Sequence, residues 1–174
     1  MVRATYTQLN HQNGAYKAKL HSYFETEGDQ ELSLSARSED ELWNLIRLNP
    51  DQVPVGKMAL IPGLLDQRFT HQPLKAYQAT VQLKAATENV AGFNAAQLKV
   101  CEVVYHDYPR QLRIYFTKDF PYPVAGWDEV HFTKTGQPET SQARRKKVML
   151  LDYWNKNKTK FEPLRDSLEL NTGL

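Results

Sequence analysis

In the stretch Trp127-Asp128-Glu129-Val130-His131 an indole, a carboxylate and an imidazole recur at every second residue. On a strand, successive side chains point to opposite faces, so Trp127, Glu129 and His131 project from one side. Asp128 projects from the other, with Val130 and Phe132. An acceptor, a titratable ring and a stacking surface side by side suit a sugar or an amine, and Gly126 leaves room beside the ring. Because Asp128 and Glu129 face opposite ways, they are not the paired carboxylates of a general acid–base dyad. The competing interpretation is a Trp packed at the core edge with its polar neighbours in water. A second group, His21, Tyr23 and Glu25, shares a strand face in the same way. It offers a His–Glu pair, against the plainer reading of a solvated strand face.

The other reactive residue types are dispersed. No nucleophile elbow, phosphate-binding loop, dinucleotide fingerprint or zinc-protease helix occurs. The remaining histidines, His11, His71 and His106, make no pair at ligand spacing. Cys101 is the only cysteine, which excludes an intrachain disulfide and a cysteine-based zinc site. It alternates with Val103 and Tyr105 and reads as a small buried hydrophobe. No catalytic residue, cofactor or metal ligand is assigned. Arg144-Arg145-Lys146-Lys147, with Lys156, Lys158 and Lys160, is the one basic concentration, and Tyr153 and Trp154 stand near it. Single-stranded nucleic-acid binders combine such charge with stacking rings. On a strand the run divides between two faces, however, and nucleic acid is not the favoured partner.

The elements that would position these groups are mostly strands. Asn13-Gly14 is a hairpin signal, since both central residues of a type I′ turn need positive φ. After it, Tyr16, Ala18, Leu20, Ser22 and Phe24 alternate with polar residues, and Gly28-Asp29 turns the chain into a short strand with Leu32 and Leu34. Ser38 and Glu41 form a capping box ahead of Leu42, Trp43, Leu45 and Ile46, which predicts a helix over residues 40–48 ended by Asn49-Pro50. Residues 53–66 read as an irregular connection containing a strand at 57–61. One-sided alternation predicts a strand at 77–84, and residues 85–96 read as a mobile loop. Strands at 97–105 and 111–117, joined by a hairpin at 106–110, carry apolar residues on both faces and belong in the middle of the sheet. An aromatic-proline bend at 120–123 precedes a strand at 124–132. A polar loop is expected at 133–142, a long strand at 143–154, and a helical turn or two at 162–170. The fold expected is one mainly β, antiparallel domain over residues 1–174. It should be a strongly curved sheet or barrel with a short flanking helix and a short C-terminal helix.

With 174 residues, a formal net charge of +2, 41% hydrophobic and 24% charged residues, the composition is that of an ordinary globular chain. The near balance of charge makes whole-molecule steering toward nucleic acid or anionic membrane weak. No run approaches the roughly 18 apolar residues of a membrane-spanning helix, and the first six residues lack the apolar core of a signal peptide.

Residues 21–25 (His-Ser-Tyr-Phe-Glu), Asp29-Gln30, Glu41-Leu42-Trp43, Leu48-Asn49-Pro50 and Lys75-Ala76-Tyr77 resemble a bacterial family of exported lipoproteins that carries the label "septum formation inhibitor Maf". The resemblance continues at Phe120-Pro121-Tyr122, Gly126-Trp127, residues 152–157 (Asp-Tyr-Trp-Asn-Lys-Asn) and residues 164–168 (Leu-Arg-Asp-Ser-Leu). It covers nearly the whole chain with the C-terminal half of longer proteins, and implies a piece of a longer protein. The loop at 85–96 is longer here than in that family. Maf enzymes proper are α/β nucleotide pyrophosphatases with a phosphate-binding N-terminus, and the strand pattern here differs. The resemblance therefore implies a cell-envelope location, periplasmic or at the outer surface, and transfers no catalytic residue. Membrane association would come only through a lipoprotein anchor absent from this chain.

Together these readings lead to a non-catalytic binding domain of an envelope protein, with a lipid, glycan or peptide as partner. Its ligand-binding candidates are Trp127, Glu129, His131, His21 and Glu25. The alternatives are an envelope hydrolase or lyase working on a polar strand face and, more weakly, single-stranded nucleic-acid binding.

Overall fold

The computed structural model describes residues 5–22 and 28–170. Strands dominate, in two sheets. β1 (Thr5–Gln12), β2 (Ala15–Ser22) and β3 (Gln30–Leu34) form a three-stranded antiparallel meander. The turn between the first two has φ of 52° at Asn13 and 77° at Gly14, the backbone that Asn-Gly accepts with least strain. Period-two alternation puts Tyr16, Ala18 and Leu20 on one face, where they pack with Leu9, Leu32, Leu34, Ile61 and Leu74. Phe24, the last apolar residue of that alternation in sequence, lies outside the described residues.

The second sheet has seven strands. These are β4 (Arg37–Ser38), β5 (Gly56–Ile61), β6 (Tyr77–Ala85), β7 (Leu98–Tyr105), β8 (Arg110–Thr117), β9 (Val124–Phe132) and β10 (Pro138–Arg144). They lie side by side in reverse chain order, and every pair is antiparallel except β4 with β5. β7 is the central strand and β8 its neighbour, as their two apolar faces require. One face of this sheet carries Ala79, Val81, Cys101, Val103, Leu112, Ile114 and Phe116, covered by Leu42 and Ile46 of α1 (Glu39–Leu48). The capping box is complete: Asp40 N–H donates to the Ser38 hydroxyl at 3.2 Å, and Ser38 N–H donates to the Glu41 carboxylate at 3.2 Å.

Five expectations are corrected. Neither sheet closes: β4 and β10 end the large one as separate edges, so the barrel and the strongly curved sheet are not found. Closure is not needed to bury the central strands, because residues 85–96 do not swing free. Val90 is buried with Leu98, Val100, Tyr115 and Ala125, and Ala86, Ala91 and Phe93 pack beside it, so this segment covers the second face. The polar loop expected at 133–142 is shortened, since residues from Pro138 onward pair with β9. The strand expected at 143–154 ends at Arg144, opposite Gly126 near the beginning of β9. Beyond it come a single 3-10 turn at Tyr153–Asn155, another at Thr159–Phe161 and the short helix α3 (Pro163–Ser167). A further helix, α2 (Leu64–Thr70), lies in what reads as irregular chain. Its first amide, on Leu64, donates to the Asp40 carboxylate at 3.2 Å, so its cap comes from α1 rather than from its own neighbours.

Two measurements check this packing. Ser38→Ala should lower stability by about 1 kcal/mol through loss of the cap, read as a lower denaturation midpoint at unchanged slope. Cys101 is fully buried, and burial first, then the nearby charges of Glu39 and Glu102, push its thiol up to about 12. A thiol reagent should therefore label the native protein slowly and the denatured protein fast; fast native labelling would contradict this packing.

Candidate functional site

Period two along β8 places Arg110 in line with Leu112, Ile114 and Phe116, at the end of the apolar face. It is 2% exposed. A guanidinium taken out of water needs carboxylates around it, and three elements supply them, with hydrogen bonds to both Nη atoms and an ion pair, but no hydrogen bond, at Nε. Glu39, the first residue of α1, sits on the same helical stripe as Leu42 and Ile46 and pairs with Arg110 Nη1. Asp66 of α2 lies 3.3 Å from Arg110 Nε, and Glu129 of β9 accepts from Nη2 at 2.8 Å. Tyr105 O–H donates to Glu39 at 2.9 Å, and Tyr108 O–H donates to Asp66 at 2.7 Å.

The titration of the cluster follows from this burial. Desolvation pushes Glu39 above the usual carboxylate range, although Arg110 and Tyr105 pull the other way. Desolvation alone would favour a neutral Arg110, but Glu39, Asp66 and Glu129 outweigh it and hold the guanidinium charged above its ordinary value. Tyr105 and Tyr108 are raised by burial and by their acidic neighbours.

The cluster opens to solvent along β9. Trp127, Glu129 and His131 do share one face, opposite Ile114, Leu112 and Arg110 of β8 respectively. Glu129 is 30% exposed, and His131, 3.3 Å from Asp66, is 31% exposed. Trp127 is 38% exposed and stands edge-on to Trp43 of α1, with ring centroids 5.4 Å apart. Asp128 faces the other side, where Tyr115 O–H donates to it at 2.7 Å and Arg144 pairs with it. Gly126 does not make room for the indole: a side chain there would run into the Ala143 carbonyl of β10, so this glycine permits the close approach of the edge strand.

The His21 group is not assembled in the same way. His21 Nδ1 lies 3.1 Å from the exposed Asp29 carboxylate, and its ring lies 5.9 Å from that of Tyr6. Tyr23 and Glu25 lie outside the described residues. The basic run has separate partners: Arg144 on Asp128, Arg145 over the Phe93 ring, Lys146 and Lys147 on Glu169, and Lys156 on Asp152. Among the described residues no group of three His, Cys, Asp or Glu could hold a metal ion.

Sequence reasoning missed Glu39, Asp66 and Arg110. The first and last left a signal, a charged residue within an otherwise apolar stripe of its element. It also missed an open cleft of about 560 Å³ between the small sheet and α1, lined by His11, Gly14, Tyr16, Ser35, Ala36, Arg37 and Glu41. There Tyr16 O–H donates to Glu41, which also pairs with Arg37.

Removing Arg110 should be costly. Arg110→Met leaves buried carboxylates without their cation and should destabilise by about 3–5 kcal/mol. A carboxyl raised in the folded state stabilises below its unfolded value and loses that contribution as pH rises through the folded value. The deficit of the variant should therefore be smaller at roughly pH 4 than at roughly pH 8, and adding Glu39→Gln should recover part of it. Denaturation curves at both pH values test this, and an equal deficit at each would contradict it.

Compared with protein-family models, with curated proteins and with solved structures, the chain finds no match in any of the three.

Proposed function

We propose that this chain is a non-catalytic binding domain, and that the row Trp127–Glu129–His131 receives a cationic group such as the basic side chain of a peptide. The single observation that carries the reading is the charge inventory of the cluster: the carboxylates of Glu39, Asp66 and Glu129 surround one guanidinium, Arg110. The surplus is negative, and its half-exposed member is Glu129, beside a half-exposed indole. A cation there gains a carboxylate and a ring face together. Of lipid, glycan and peptide, a peptide carrying lysine or arginine answers that chemistry best. The support for an envelope location is the resemblance of the sequence to exported lipoproteins.

A second reading rests on the proximity of His131 to Asp66, in which the carboxylate orients the ring for proton transfer in a hydrolase or lyase. In that case His131→Gln would abolish turnover.

Titration of tryptophan fluorescence with an oligolysine peptide, an oligoglutamate peptide and a neutral oligosaccharide distinguishes the ligand classes. Saturable binding is expected for oligolysine only, weakening with salt. Glu129→Gln and Trp127→Ala should each reduce affinity roughly tenfold, a loss of about 1.4 kcal/mol. Oligolysine binding that is indifferent to Glu129→Gln, or no saturable binding, would overturn the proposal.

A further inference from the structure

The net charge of +2 conceals an asymmetry. From Arg144 to Phe161 seven basic residues face a single acid, Asp152, so this segment carries +6 and the rest of the chain −4. The same segment holds apolar side chains left in water: Val148 is 64% exposed, Leu150 96%, Tyr153 74% and Trp154 65%. Met149, Leu151 and Asp152 between them are half-buried, so the exposed four are the side chains turned away from the molecule. The chain bends at Leu151, where Tyr153 N–H donates to the Leu151 carbonyl at 2.9 Å, and a single 3-10 turn follows. Seven residues span at most about 25 Å when fully extended, and the bend shortens that, so the aliphatic pair and the ring pair fall within one contact area. Tyr153 and Trp154 stand edge-on, with centroids 5.4 Å apart.

Cations flank these side chains. Lys158 is exposed, and Lys160 lies over the Phe161 ring. Lys146 and Lys147 pair with Glu169 in a solvated setting, and such pairs contribute little and exchange readily. An aliphatic side chain in water gains most from hydrocarbon, tyrosine and tryptophan settle where hydrocarbon meets water, and lysines are drawn to the negative surface of anionic lipids. We propose that residues 146–160 dock on the surface of an anionic lipid bilayer. Val148 and Leu150 enter the boundary between headgroups and acyl chains, Tyr153 and Trp154 lie at the interface, and the lysines face lipid phosphates. A single-stranded nucleic acid would use the rings and the lysines but leave Leu150 in water. The contact is distinct from the row Trp127–Glu129–His131, which collects a cation. It needs no lipid anchor, and beside one it supplies the second signal that stable membrane attachment requires.

Flotation of the full chain with vesicles tests the docking. Binding is expected to vesicles of equal parts phosphatidylglycerol and phosphatidylcholine, weakening as salt rises, and not to phosphatidylcholine alone. Leu150→Asp should lower the partition coefficient roughly tenfold, and Lys158→Glu combined with Lys160→Glu should lower it about tenfold or more. Lys57→Glu combined with Lys134→Glu, an equal change of charge at exposed positions outside the segment, should weaken binding far less. Lipid brominated on its acyl chains should quench the tryptophan fluorescence of the wild type, and Trp154→Phe should lose that quenching while still floating. Circular dichroism of each variant checks that the fold is retained; all these positions are on the surface. No flotation with anionic vesicles would overturn the proposal. So would binding indifferent to Leu150→Asp, or binding reduced equally by the two double charge changes, since either means adsorption by charge alone. Quenching that persists in Trp154→Phe would place the contact elsewhere and overturn it too. Saturable binding of a single-stranded oligonucleotide without flotation would assign the segment to nucleic acid instead.

Discussion

The guanidinium of Arg110 is the constraint around which one end of this molecule is arranged. Desolvating a full charge is tolerated only when its donors meet acceptors in good geometry. Here those acceptors arrive from elements far apart in sequence: Glu39 from the start of α1, Asp66 from α2 and Glu129 from β9. Satisfying Arg110 therefore settles where α1 begins over the sheet, how α2 lies against it and which face of β9 turns inward. Asp40 reinforces the arrangement by holding the first amide of α2, so the two helix starts are tied to each other as well as to β8. Glu129 and His131 inherit their positions from this cluster. Each is anchored at its inner side, to Arg110 and Asp66, while its outer side meets solvent. A site prepared in this way loses little conformational freedom when a ligand arrives.

The opposite face of the sheet obeys a different rule. The Tyr115 hydroxyl of β8 lies 2.7 Å from the carboxylates of both Glu88 and Asp128, and Arg144 of β10 pairs with Asp128 across β9. These contacts clamp the covering segment, the central strands and the edge strand together over the small apolar cluster around Val90 and Val100. Two faces covered by a helix and a packed loop leave the sheet open at both edges.

The sequence revealed most of the strands and the first helix because their signals are local. Alternation in β2, β6 and β9, the Asn13-Gly14 turn and the Ser38–Glu41 box each describe a few consecutive residues, and each recurs in the structure. The alternation also placed Trp127, Glu129 and His131 on one face, and put Asp128 on the other. What the sequence left hidden is non-local. Arg110 looks like a hairpin residue until its alternation with Leu112, Ile114 and Phe116 is taken as seriously as theirs. Glu39 looks like a helix-start acid, of a kind that usually faces water near a positive helix end. α2 has too few turns to show periodicity and no capping residue of its own, so nothing in residues 63–71 announces it. The opposite error was made at 143–154, where apolar and basic residues suggest a strand but no neighbouring strand extends far enough to pair with it.

That overhang contrasts with the edge that precedes it. β10 is an edge strand guarded in the usual way: it begins with Pro138 and presents Glu139, Thr140, Ser141 and Gln142, side chains that discourage pairing through apolar contact. Residues 148–151 read Val-Met-Leu-Leu, strand-compatible and uncharged, yet they do not prolong that edge. The chain bends at Leu151, and Tyr153 N–H donates to the Leu151 carbonyl at 2.9 Å. A turn that uses its own backbone groups ends the strand where β9 gives no further partner, so the guarded edge of β10 is also the last paired edge of the sheet among the described residues.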